Sequence, residues 1–169
     1  MSQSQLPVTR ADIEAASARI AGHVRVTPVI DLEPRALAPM PGGAPGFLGR
    51  LNLKLEFLQH AGSFKPRGAF NNLLSRAVPA AGVVAASGGN HGAAVAFAAR
   101  QLGIKAHIYV PSISSPAKIA RIRQYGAEIV VGGETYADAY AAGHAFAAEN
   151  ELAEVHAYDG FHTLSGQGT

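Results

Sequence analysis

The chain has 169 residues and a mass of 17.4 kDa, enough to bury a real core. Charged residues make up only 15% and hydrophobic residues 48%, with 33 alanines among them, which excludes disorder as the default state. Fourteen basic against twelve acidic side chains give a formal charge of +2, and the lysines and arginines are scattered, so neither a nucleic-acid stripe nor an acidic-lipid patch is implied. The absence of cysteine removes disulfides, thiolate metal sites and a cysteine nucleophile, and is compatible with a reducing cytosol. The N-terminal MSQSQLPVTR lacks an apolar leader core, and no apolar run approaches the roughly 18 residues that span a bilayer. The expectation is a soluble, unexported protein.

Thr9 and Asp12 have capping-box spacing, and Ile13, Ala16 and Ile20 repeat on one face, which predicts a helix ending near His23. Thr27-Pro28 favours extended backbone, and the segment 40–46, rich in proline and glycine, reads as a connecting loop. Leu51, Leu53 and Leu55 alternate with Asn52, Lys54 and Glu56, a strand pattern that runs on into Phe57-Leu58. Pro66 is well placed to open a helix over 66–78, with Ala69, Phe70, Leu73 and Leu74 as its apolar side. Lys65 therefore falls at a strand-to-helix junction.

From Val83 the pattern becomes regular. A strand at 83–86 leads to Ser87-Gly88-Gly89-Asn90-His91-Gly92, then to an alanine-rich helix from about Ala93 to Leu102 closed by Gly103. A strand at 106–110, a helix from Ser115-Pro116 to about Tyr125 closed by Gly126, and a strand at 127–131 follow. Thr135 and Asp138 form a second capping box for a helix reaching about Glu149, and 155–157 reads as a last short strand. Strands alternating with helices predict an α/β fold with a parallel sheet, right-handed crossovers and helices on its faces.

Glycine loops after strands in such sheets lie at the carboxyl edge, where ligands bind. The loop 87–92 has the wrong glycine spacing for a dinucleotide fingerprint and no Gly-Lys-Ser/Thr for a P-loop. It offers unhindered N–H groups at a helix start, suited to a carboxylate or phosphate; the plainer reading is a tight turn that needs positive φ. Of four lysines, only Lys65 is placed like a site residue, and a desolvated lysine of lowered pKa attacks carbonyls. His91 has no carboxylate partner in view and reads as a neighbour of the loop rather than a general base. The remaining histidines match no metal spacing, and no serine elbow is present, although Ser63 and Ser87 could donate to a ligand.

Two segments together carry a resemblance. Gly62-Ser63-Phe64-Lys65-Pro66-Arg67-Gly68-Ala69 resembles the S-F-K-x-R-G-A motif of serine/threonine dehydratases, pyridoxal 5'-phosphate enzymes of fold type II with tryptophan synthase β-like architecture. Ser87-Gly88-Gly89-Asn90-His91-Gly92 is similar to their S-x-G-N-H loop, and Val110-Pro111, Lys118, Gly126-Ala127-Glu128 and Gly166-Gln167-Gly168-Thr169 follow the same pattern. The resemblance implies that Lys65 carries the cofactor through a Schiff base and, once freed, removes the substrate α-proton. It implies Phe64 beside the cofactor, the Asn90 amide on its phenolic oxygen, and the turn from Ser87 through Gly88, Gly89 and Asn90 to His91 around the substrate carboxylate. Loss of the β-hydroxyl of serine or threonine would then yield a 2-oxo acid and ammonia.

The family's serine racemases carry a second serine where this chain has Gly88, so the resemblance favours elimination over racemisation. Sulfhydrylases and tryptophan synthase β chains are less similar around Lys65, and threonine synthase is a weaker alternative. Family members run to roughly twice this length, and their phosphate-binding glycine cluster and pyridine-nitrogen partner lie beyond the point reached here. The Gly132-Gly133 pair is too short to substitute. The expected organisation is the first part of a large cofactor domain at 1–78, a small α/β domain at 79–163 and a return to the large domain from 164. A homodimer is expected for the complete protein, and a non-catalytic ligand-binding or assembly module is the alternative from another class.

Overall fold

The computed structural model describes residues 7–32 and 51–169; the predicted loop at 40–46 lies outside the described residues. In chain order the elements are α1 (Arg10–Arg19), β1 (Val29–Leu32), β2 (Leu51–Lys54), α2 (Lys65–Leu74), β3 (Val83–Ala86), α3 (Asn90–Gln101), β4 (Ala106–Val110), α4 (Pro116–Gln124), β5 (Glu128–Val131), α5 (Tyr136–Asn150), β6 (Ala153–Glu154) and α6 (Phe161–Gln167). Both predicted capping boxes are present: Thr9 with Asp12 at α1, and Thr135 with Asp138 at α5. Gly103 and Gly126 follow α3 and α4 with φ of +70° and +79°, the left-handed step that ends a helix without a Cβ clash.

The four central strands form one parallel sheet in the order β5-β4-β3-β6. Every residue of β3 is buried, and its alternation divides the core. Val83 and Ala85 face a cluster with Phe70, Val95, Ile108 and Ile122, on the side covered by α3 and α4. Val84 and Ala86 face Tyr109, Ala139 and Ala147, on the side covered by α5. Helices on both faces of a parallel sheet agree with the predicted class.

Several element ends and one strand pairing differ from the sequence reading; the first helix, expected to end near His23, stops at Arg19. The strand beginning at Leu51 stops at Lys54, because the chain turns into a 3-10 turn at Glu56–Leu58 that carries Glu56 toward Arg67. That strand pairs antiparallel with β1 in a separate two-stranded sheet rather than joining the parallel one. The helix predicted over 66–78 ends at Leu74; Ser75 caps it by bonding Asn72 O, and Pro79 disfavours a helical residue 78. In the last predicted strand, 155–157, the ladder lies earlier, at Ala153–Glu154, with one further bond from Val155 N to Val84 O.

Helix α6 was not anticipated, and it packs on α2 and α1. Asn71 Nδ2 donates to His162 O at 2.7 Å and to Ser165 Oγ at 3.0 Å, while Asn72 Nδ2 donates to Thr163 Oγ1 at 3.2 Å. Glycines let the two backbones approach. A Cβ on Gly166 would stand 2.6 Å from Arg67 O and 2.9 Å from Gly68 Cα, and one on Gly68 would stand 2.8 Å from Thr163 O. Among the described residues, no helix is long and apolar enough to cross a membrane.

Arg67 fastens α2 to the β2 exit. Its guanidinium donates to Glu56 through Nε (2.8 Å) and Nη2 (2.9 Å), and also reaches Arg25 O and Thr169 Oγ1, both at 3.3 Å. Burial pushes the Glu56 carboxyl up, but the Arg67 and Thr27 hydrogen bonds outweigh it, and the carboxyl titrates below its ordinary value of 4.5. Its contribution to stability is thus complete above the ordinary value and is lost as pH falls through the lower folded value. Glu56→Gln should cost about 3 kcal/mol at neutral pH in a urea melt, and the variant should lose less stability than the parent on acidification below about pH 4. Gly166→Ala should cost roughly 1–3 kcal/mol in the same melt, since the added methyl meets main-chain atoms that cannot swing aside.

Candidate functional site

The site is assembled where two helices begin beside the carboxyl edge of the sheet. Before α2 the chain reverses through Ala61, a non-glycine residue held at φ 53°, and Gly62 at φ 61°. Ser63 is then extended, and α2 opens at Lys65 with Pro66 in its first turn and no side-chain cap. Lys65 Nζ donates to Ala157 O at 3.0 Å. The ammonium lies 5.1 Å from the centre of the Phe64 ring and 5.0 Å from that of Tyr158, both of which remain exposed. Burial lowers the Lys65 pKa from its ordinary value by disfavouring the charged form.

The second helix start is the glycine loop. Ser87 N donates to Tyr109 O at 2.9 Å, and Ser87 Oγ accepts from Gly89 N at 3.1 Å. Helix α3 begins at Asn90, three residues before its predicted start, so the loop is largely the helix's own first turn. Gly89 is the N-cap and no side chain caps it. The first-turn N–H groups have no carbonyl one turn behind them, which leaves an electropositive end.

The plainer reading of this loop, positive φ, does not hold, because Gly88, Gly89 and Gly92 are absent from the positive-φ residues. The reason for two of them is space: a Cβ on Gly88 would collide with Ser114 Oγ, and one on Gly92 with the Ser87 carbonyl oxygen. Among the described residues, Gly89 has only Ser87 Oγ near its missing Cβ, at 3.8 Å, and presents open backbone. Asn90 is exposed at the head of the helix.

His91 points inward and is 4% exposed. Its Nε2 lies 2.9 Å from Val155 O. A carbonyl oxygen only accepts, so Nε2 carries the proton and Nδ1 is left as a buried lone pair with no partner among the described residues. Burial, first, and then the charges of Lys65 and His156 push the imidazole down to about 4 against the pull of the Val155 hydrogen bond. His91 is therefore neutral at pH 7.

Lys65, Phe64 and His91 thus meet around the segment 155–158, while Ser87 through Asn90 form the adjoining turn. Sequence reasoning did not find Ala157, whose contribution is a main-chain carbonyl, or Tyr158. The signal for Tyr158 was an aromatic residue following the last short strand. The carboxylate that seemed missing as an orienter of His91 is replaced by a carbonyl 64 residues away.

The His91 pKa lies below its unfolded value of 6.5, so protons bind the unfolded chain more readily and stability declines as pH falls from about 6.5 toward 4. The decline should amount to about 3 kcal/mol in chemical melts taken across that window. His91→Gln, whose amide can still donate to Val155 O, should flatten it; an unchanged slope would remove His91 as its source.

The sequence matches the family described as "Pyridoxal-phosphate dependent enzyme" over residues 20–169. It is 42% identical over 156 residues to the phenylserine dehydratase of Ralstonia pickettii, covering 90% of this chain and 44% of that one. The fold superposes on a crystal structure of the T.th. threonine deaminase with a TM-score of 0.79 and 38% identity, covering 95% of this chain and 49% of that one. It also superposes on a pyridoxal 5'-phosphate-dependent aspartate racemase with a TM-score of 0.82 and 32% identity, covering 96% and 49% of the two chains. The chain spans about half the length of these relatives. With a lysine at one uncapped helix start, a glycine turn at the other and a family match over nearly its whole length, this chain belongs to the pyridoxal-phosphate dependent enzyme family.

Proposed function

We propose that the protein, at its full natural length, is a pyridoxal-phosphate-dependent ammonia-lyase that converts L-serine or L-threonine to a 2-oxo acid and ammonia. The observation that carries this reading is the Lys65 amine, made less basic by burial and set beside the open first turn of α3. These residues suit the family's cofactor, with a weakly basic amine for its aldehyde and a flat ring at Phe64, while the uncapped first turn of α3 is left for the anion of the substrate. Lys65, Phe64 and Asn90 would hold the cofactor, and the backbone from Ser87 through Gly88, Gly89 and Asn90 to His91 would hold the substrate carboxylate. Bound pyridoxal phosphate supplies an electron sink for the charge left on the substrate α-carbon.

The chain's own part is proton transfer and placement. Lowered basicity keeps a larger share of Lys65 Nζ neutral near physiological pH, and the neutral amine takes the α-proton. The N–H groups at the start of α3 fix the carboxylate, which sets the α-C–H bond toward the lysine. Gly88 carries no proton-transfer group of its own, which favours elimination over racemisation. The relative from Ralstonia pickettii acts, by its name, on phenylserine, which carries the same 2-amino-3-hydroxy acid unit as serine and threonine. The same reading divides the chain into a large-domain part at 1–78, a small domain at 79–163 and a return from 164, in a cytoplasmic homodimer.

Borohydride reduction of the cofactor-loaded protein followed by peptide mapping should place the cofactor on Lys65; a label on another lysine would sink the assignment. Lys65→Ala should lower 2-oxo acid release by at least about a thousandfold, while Lys118→Ala should leave most of it. A protein that takes up cofactor yet releases ammonia from no 3-hydroxy amino acid would be the binding module instead.

A further inference from the structure

The surroundings of Lys65 are aromatic beyond what holding an amine requires. Tyr158 is 61% exposed and Phe64 42%, so two rings offer surface beside the ammonium, and Tyr136, 39% exposed, adjoins Tyr158. Tyr136, the first residue of α5, meets Tyr158 edge to face, with ring centres 6.5 Å apart and planes at 70°. Neither ring is loose. His156 Nδ1 accepts from Tyr158 N at 3.2 Å and Asp159 N at 3.1 Å, which fixes the turn bearing Tyr158. Tyr140 stacks on Tyr136 at 6.2 Å and meets the His156 ring edge-on at 5.6 Å, which fixes Tyr136 from behind.

The electrostatics of this surface favour a neutral guest. Burial, first, and then the neighbouring Tyr158, Tyr140 and Asp159 raise the Tyr136 pKa, so its hydroxyl stays protonated. A substrate with a second carboxylate would approach ring faces and the field of Asp159. Among the described residues, Lys65 is the cation seated over Phe64 and Tyr158, and the reaction already engages it. An aromatic guest gains both buried area and the offset or edge contacts that such rings prefer.

We propose that Tyr136 and Tyr158 form a docking platform for an aryl group on the substrate β-carbon, so that the preferred substrate is a 3-aryl-2-amino-3-hydroxy acid. This rests on the ammonia-lyase reading above. The chemistry balances without a co-reactant. The α-C–H and β-C–O bonds break and water leaves; the resulting enamine takes up water as its C–N bond is cleaved, giving ammonia and a 3-aryl-2-oxo acid.

Binding can be measured apart from turnover with L-phenylalanine and L-2-aminobutyrate, which have no β-hydroxyl to lose. Calorimetry on the cofactor-loaded, full-length protein should show phenylalanine bound about tenfold more tightly. Tyr136→Leu and Tyr158→Leu should each shrink that ratio roughly two- to tenfold, and Tyr136→Phe, which keeps the ring, should preserve it. A parent ratio near one, or a Leu variant that weakens both ligands equally and shifts the cofactor absorbance, would overturn the platform and leave the rings to the cofactor or the fold. Efficient ammonia release from threonine without aryl preference would overturn this inference alone. Aryl preference in binding without ammonia release from any 3-hydroxy amino acid would overturn the lyase reading and leave the platform standing.

Discussion

Two carbonyl oxygens hold the site together. Val155 O receives His91 Nε2 and Ala157 O receives Lys65 Nζ, so one short extension of β6 grips the first turn of α3 and the first residue of α2. Val155 directly follows β6 and Ala157 opens the bend after it, so a single segment addresses both. Both helices begin without a side-chain cap, unlike α1 and α5, and each gives up the roughly 1 kcal/mol that a cap contributes. The arrangement concentrates positive potential in one corner. Two groups that carry charge when protonated, Lys65 and His91, are both shifted toward their neutral forms there.

The rest of the fold keeps that corner rigid. Phe97 links three helices, meeting Phe70 of α2 edge to face at 6.0 Å and Tyr125, just past α4, at 5.4 Å. Alanines along α3 let the helix lie close on β3 and β4, and the α2–α6 contact at Gly68 and Gly166 fixes α2 from the opposite side. Backbone strain is present where it would be expected to matter, since Ala61 occupies the left-handed region four residues before Lys65. The Arg67–Glu56 pair, in the first turn of the same helix, holds the strained approach against the exit of β2.

What was legible in the sequence was local. Thr9 with Asp12, Thr135 with Asp138, and the glycines after α3 and α4 announce helix ends within four residues of themselves, and the strand-helix alternation around them fixes the class. Lys65 and the turn at 87–92 were visible because motif and position agreed. What escaped depends on contacts across the chain. Helix α6 is masked by three glycines in and beside it, and forms because Asn71 and Asn72 bind its backbone and hydroxyls. The alternation from Leu51 concealed a short strand, because its partner β1 lies far back in sequence. The glycines at 88 and 92 look like turn formers and are instead spacers, which only Ser114 and the Ser87 carbonyl reveal.

The grip on Lys65 and His91 comes from peptide groups, and that has a consequence for how this protein can change. Exchanging the side chains of Val155 or Ala157 leaves both acceptors in place, so substitutions at these two buried positions act on core packing rather than on the hydrogen bonds to His91 and Lys65. An insertion or deletion between β6 and α6 would instead shift the carbonyls out of phase and release both helix ends at once. The two hydrogen bonds that constrain the site thus depend on the length of this segment rather than on the identity of its side chains.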